Sequence, residues 1–144
     1  MKGGNPNPNP NSNPKKPLLA NHFIQALTRI NLAAQTSSTR QRSHCIKRAA
    51  YVSMACAAGS RRAWSRAMLQ KIRLRSRVLR LPGDRRSIVS VVRREENRAD
   101  VLRKLLPGGQ AMEFSSLLEE TASYIQYLSA QVRLMQTIVD SMFG

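Results

Sequence analysis

An unbroken seven-residue repeat of apolar side chains closes this chain and limits what it can become. Leu118, Ile125, Val132 and Val139 hold one position of the repeat; Thr121, Leu128, Met135 and Met142 hold the other, with Thr121 the weak member. Side chains at that spacing line one face of an α-helix. A helix carrying the whole stripe runs roughly 40 Å at about 1.5 Å per residue. That is longer than a short neighbouring helix can cover, so a second chain is its natural cover.

The segment ahead of the repeat supplies the rest of a helix–loop–helix. Residues 91–106, VVRREENRADVLRKLL, place Val92, Ala99, Leu102 and Leu106 on one stripe and stop at Pro107-Gly108-Gly109, which cannot continue a helix. After a short loop, Ser116 and Glu119 have the spacing of a capping box, and Glu120 adds negative charge to a first turn. The predicted fold class is therefore all-α: two helices in 84–142 that form a four-helix bundle on dimerisation. The expected packing residues are Leu102, Leu105 and Leu106 from the first helix, with Leu118, Ile125, Leu128, Val132 and Met135 from the second.

Charge divides the chain at residues 81–83. Lys and Arg number 24 against 8 Asp and Glu, yet no acid precedes Asp84. Residues 1–83 hold 16 cations and no anion, while 84–144 hold eight of each. An acid-free half repels itself and is not expected to be compact alone. Residues 1–17, rich in Asn and Pro, read as a disordered tail. Residues 18–81 read as basic amphipathic helices. In them Leu19, Phe23, Leu27 and Ile30 mark a helix over 18–34, a second covers 43–58 up to Gly59, and a third over 61–81 carries Trp64, Met68, Ile72 and Leu79 on one side. Arg61, Arg62, Lys71, Arg73, Arg75 and Arg77 form a cluster suited to nuclear import.

Several classes of function find no residues here. Cys45 and Cys56 make no disulfide framework and read as small packing residues. His22, His44 and the cysteines lack the paired spacing of a zinc site. There is no glycine-rich phosphate loop and no nucleophile–base pair, so neither an enzyme nor a cofactor is expected. Uncharged runs are too short to span a bilayer, and the Asn-Pro start is unlike the basic helix that opens a transit peptide.

Leu102-Arg-Lys-Leu-Leu-Pro107-Gly108, followed by Leu117-Leu-Glu-Glu, Tyr124-Ile-Gln-Tyr-Leu128 and Gln131-Val132, resembles the helix-loop-helix region of plant basic helix-loop-helix proteins. Upstream, Arg62-Ala-Trp64-Ser65-Arg66-Ala-Met-Leu and the Arg-rich run after it resemble the atypical group that binds the small increased-leaf-inclination HLH proteins and interacts with brassinosteroid activators. In DNA-reading members a His, a Glu four residues on and an Arg four beyond that contact the bases. In register with Leu102 and Pro107, those places hold Asp84, Ile88 and Val92, and the Lys often found entering the second helix is Phe114.

The resemblance thus implies a nuclear regulator that dimerises with other HLH proteins, or with itself, and does not read an E-box alone. Heterodimers would have one reading arm in place of two, which represses the partner, and the group is linked to brassinosteroid control of cell elongation. The alternative is a basic nucleic-acid-binding protein in which the HLH only dimerises. Charge by itself gives no more than weak, salt-sensitive binding.

Overall fold

The computed structural model describes residues 15–78 and 97–144, and every regular element among them is helical. Helix α1 (Lys16–Leu32) opens with Pro17 in its first turn, where a missing N–H costs no bond and the fixed φ suits the helix. The last residues assigned to the tail thus belong to a helix; residues 1–14 lie outside the described part. Leu19 and Phe23 turn inward as their spacing requires, and Leu27 and Ile30 extend that stripe half-buried.

Helix α2 (Thr39–Ala58) begins four residues before the Ser43 start that polarity suggests. The reason is a reciprocal cap at Ser38: its Oγ accepts from the Gln41 N–H at 3.3 Å, and Gln41 Oε1 accepts from the Ser38 N–H at 3.1 Å. Gly59, at φ +79°, ends the helix in a conformation that a side chain would strain. Helix α3 (Ala63–Val78) then folds back along α2. Small residues set the close approach, and the Ser65 hydroxyl donates to the Ala55 carbonyl at 2.7 Å. Both cysteines of α2 are exposed, contrary to the expectation that they pack; Ala50, Ser53, Met54, Ala55 and Ala57 take the inward positions of the helix.

Helix α4 (Arg98–Leu105) and helix α5 (Phe114–Phe143) form the helix–loop–helix. Residues 79–96 lie outside the described part, and with them Asp84, Ile88, Val92 and the first turns expected of the first helix. Between α4 and α5, Gly108 adopts φ +75°, and a Cβ there would stand 2.8 Å from the Ala67 Cβ of α3. Glycine lets this loop lie directly on α3. Helix α5 starts at Phe114 behind Glu113, which makes no side-chain cap bond. The capping box at Ser116 and Glu119 is therefore not formed: Ser116 already lies inside the first turn, and Glu119 reaches Arg62 instead.

One core joins all of these elements. Leu19 of α1, Met54, Ala55 and Ala57 of α2, Trp64 and Met68 of α3, Leu106 after α4, and Leu117 and Tyr127 of α5 pack as a single cluster. Residues 15–78 of the acid-free half are thus packed against the half that follows, with their apolar stripes inward and α5 as the floor beneath them.

Candidate pairing surface

Helix α5 has two apolar faces with different fates. Thirty residues give it a length of about 45 Å. One face, running through Leu117, Tyr124, Tyr127, Leu128 and Leu134, packs against the chain's own core. The other carries Phe114, Leu118, Ile125, Val132, Val139 and Met142, all exposed. Ile125 is 55% and Val132 62% exposed, values far from those of a core residue. The seven-residue repeat is accordingly split: its first position forms the exposed stripe, while Leu128 of its second faces inward and Met135 is half-buried. The inward face contradicts the idea that only another chain covers this helix, because three N-terminal helices supply partial cover from within.

Helix α4 divides in the same way. Leu106 is buried at 3% exposure and Leu102 packs half-buried on the core, whereas Leu105 is 71% exposed. Of the eight side chains expected to pair, Leu105, Leu118, Ile125 and Val132 therefore stand on the open surface of the single chain.

Trp64 fastens α3 to α5, a role that neither its place in an amphipathic stripe nor its place in the Arg62–Leu69 motif discloses. Its side chain is 0% exposed. The indole Nε1–H donates to Ser123 Oγ at 3.2 Å, and the ring lies 5.1 Å from that of Tyr124 and 5.6 Å from that of Tyr127 in tilted packing. Tyr127 in turn donates from its hydroxyl to the Ala57 carbonyl at 3.4 Å. Burial, and then the nearby Tyr51, raise the Tyr124 pKa above its ordinary value.

The carboxylates of α5 act on α3 as well. Helix α3 has no acid in its first turn. Glu120 supplies one from across the interface: its Oε2 accepts from the Trp64 N–H at 3.0 Å, satisfying a donor that has no partner within the helix. Arg62 lies 3.2 Å from Glu119 and 3.9 Å from Glu120. Arg62 is thus engaged by α5, while Arg61, Lys71, Arg73, Arg75 and Arg77 of the same basic cluster form no ion pair with a described residue.

Two polar groups on α5 pack less comfortably. Gln131 is buried with neither amide atom hydrogen-bonded, and the Thr121 hydroxyl is likewise buried and unpartnered. Among the described residues no group of three or more His, Cys, Asp or Glu is gathered as a metal site, and no helix is long and apolar enough to cross a membrane.

These features define an all-helical protein in which a helix–loop–helix is backed on one side by an N-terminal helical unit and left open on the other. A family model described as IBH1-like, N-terminal domain, matches residues 19–76, the span from α1 almost to the end of α3. The chain is 44% identical over 164 residues to Transcription factor IBH1 of Oryza sativa, from both the indica and japonica subspecies, a match covering 87% of this chain and 78% of the relative. It is 32% identical over 148 residues to Transcription factor bHLH148 of Arabidopsis thaliana, covering 81% of this chain and 67% of that one. Transcription factor LATE FLOWERING of rice is 34% identical over 68 residues, 46% of this chain and 16% of its own length. No solved structure matches. The chain belongs to the IBH1-like family of atypical basic helix-loop-helix proteins, and is a transcription regulator of that group.

Proposed function

We propose that this regulator represses by pairing. Its α4–α5 unit joins the helix–loop–helix of a DNA-reading partner and leaves the dimer one reading arm short. The observation that carries this reading is the exposed stripe of Leu118, Ile125, Val132 and Val139 along one side of α5. Four large apolar side chains in line, on a helix already packed on its opposite side, are a seam awaiting a second helix.

Asp84, Ile88 and Val92 support the loss of base reading. An acid and two apolar groups stand where a His–Glu–Arg set would contact the groove, at roughly 1 to 3 kcal/mol per lost base contact. The regulator works in the nucleus, with Arg61, Lys71, Arg73, Arg75 and Arg77 as the import cluster and Arg62 serving mainly to hold α5. Heterodimers are the working form, homodimers a second one, and control of cell elongation in brassinosteroid-linked signalling is the setting that family membership favours. No catalytic step is assigned.

The test is a gel shift with an E-box duplex and a DNA-reading HLH protein. Added chain should abolish the partner's E-box-specific band without producing a sequence-specific band of its own. Val132→Glu and Ile125→Glu should leave the partner's band intact, because each places a charge in the seam. A specific E-box band from this chain alone would sink the reading.

A further inference from the structure

The α2–α3 hairpin changes character along its length, and its open end has no counterpart in the pairing mechanism. Near the turn the seam is closed by Ala55, Ser65 and Met68. At the far end His44, Lys47, Arg48 and Tyr51 of α2, recurring at helical spacing, face Ile72, Arg75 and Ser76 of α3 around a cleft of about 290 Å³. A second cleft of about 290 Å³, sharing Arg48 and Ser76, is lined by Arg73 and Arg77. Like charges thus meet across a seam. No acid occurs anywhere from residue 15 to 78, and none of these cations pairs with a described residue. The five acids among the described residues are Asp100, Glu113, Glu119, Glu120 and Asp140. Of these, Asp100 pairs with Arg103, the two central glutamates with Arg62, and Asp140 accepts from Gln136.

We propose that this open end is a binding track for the phosphate backbone of nucleic acid, read without regard to base sequence. The ligand is a linear polyanion rather than one small anion. From Arg40 to Arg48 the cations spread over about 12 Å of α2, and from Lys71 to Arg77 over about 9 Å of α3, with no single point of convergence. Arginines dominate, and the guanidinium fork suits phosphate oxygens. An acidic protein segment fits less well, since a protein interface needs an apolar centre and only Tyr51 and Ile72 stand on this floor. The track draws on residues other than positions 84–92 of the sequence, so it holds nucleic acid without restoring E-box reading. It adds to the pairing function and does not depend on it.

The test is fluorescence anisotropy of the full chain with two unrelated duplexes of about 20 bp across a salt series. One variant carries Arg48→Gln, Arg73→Gln, Arg75→Gln and Arg77→Gln. A charge-matched control carries Arg29→Gln, Arg61→Gln, Arg98→Gln and Arg133→Gln, all exposed and outside both clefts. Wild type should bind both duplexes alike. The track variant should lose at least about tenfold in affinity, and its slope of log K against log salt should fall by about three to four, near 0.9 per phosphate contact. The control slope should move by less than about one. A version with Lys at the four track positions keeps the charge and should keep the slope, which separates a lost contact from a lost fold. Equal losses in both Gln variants would mean diffuse charge and no track. Polyglutamate binding more tightly than either duplex would assign the surface to an acidic protein instead.

Discussion

At Trp64 a single residue serves three purposes, two of them through its side chain: its ring fills the shared core, its Nε1–H bonds Ser123, and its backbone N–H is capped by Glu120. Trp64→Ala should therefore cost about 3 to 5 kcal/mol, in the range of large aromatic truncations. Trp64→Phe keeps most of the ring but orphans the Ser123 hydroxyl, for about 1 to 2 kcal/mol. Urea midpoints with unchanged slopes would establish that order. Glu120→Ala should lower the midpoint more than Glu120→Gln, because glutamine still offers an oxygen to the Trp64 N–H and loses only the longer pair with Arg62. Tyr124 adds a dependence on pH. Its hydroxyl ionises above the ordinary 10.0 in the fold, through burial and then Tyr51. Just above pH 10 the unfolded chain has lost a proton that the folded chain retains. The stability that is fully present below pH 10 therefore falls as pH climbs toward the folded value. Tyr124→Phe should make that alkaline decline shallower in a pH series of urea midpoints.

Helix α5 shows at the level of an element why its sequence admitted more than one arrangement. A seven-residue repeat specifies a helix with an apolar seam, but it does not say whether the cover comes from the same chain or from another. Leu128 and Ile125 look alike in the repeat and differ in the fold, since one packs on the shared core and the other is exposed. Leu128→Glu should accordingly destabilise the single chain, whereas Ile125→Glu should leave its unfolding free energy in urea within about 0.5 kcal/mol, as for a surface change. Equal destabilisation by the two would contradict the division of faces. The stripes of α1 and α3, the stop at Pro107-Gly108 and the end of α2 at Gly59 were legible because each depends on neighbours within a turn or two. The cap at Ser38 and Gln41 was legible too, as a Ser with Gln three residues on, but a polar run concealed it. The uses of Glu119 and Glu120 were not. They follow from partners 57 and 56 residues away in sequence, and no local rule reaches that far. The buried, unpaired amide of Gln131 belongs to this scale as well. Gln131→Leu should raise the unfolding free energy by about 1 to 3 kcal/mol, by removing a desolvated group that has no partner.

For the whole molecule the question is whether the acid-free half can stand without the half that follows. Its own apolar stripes are real, yet its largest buried side chain, Trp64, makes its hydrogen bonds and its ring contacts with α5. Leu19, Met54 and Met68 belong to the same cluster as Leu106, Leu117 and Tyr127, so taking away residues 97–144 opens that cluster to water along its length. The fragment left behind carries cations without a single acid to offset them, and Arg62 would lose both glutamates. Burial at about 25 cal/mol per Å² of apolar surface is the main force holding such a small unit, and self-repulsion opposes it. A polypeptide of residues 15–78 should therefore show much less helix by circular dichroism than its share of the intact chain, with no cooperative melt. Mixing it with a separate polypeptide of residues 97–144 should restore both, and Trp64→Ala in the first piece should prevent the rescue. A cooperative melt from 15–78 alone would show instead that the N-terminal helices are an independent domain, and that α5 rests on them without being needed by them.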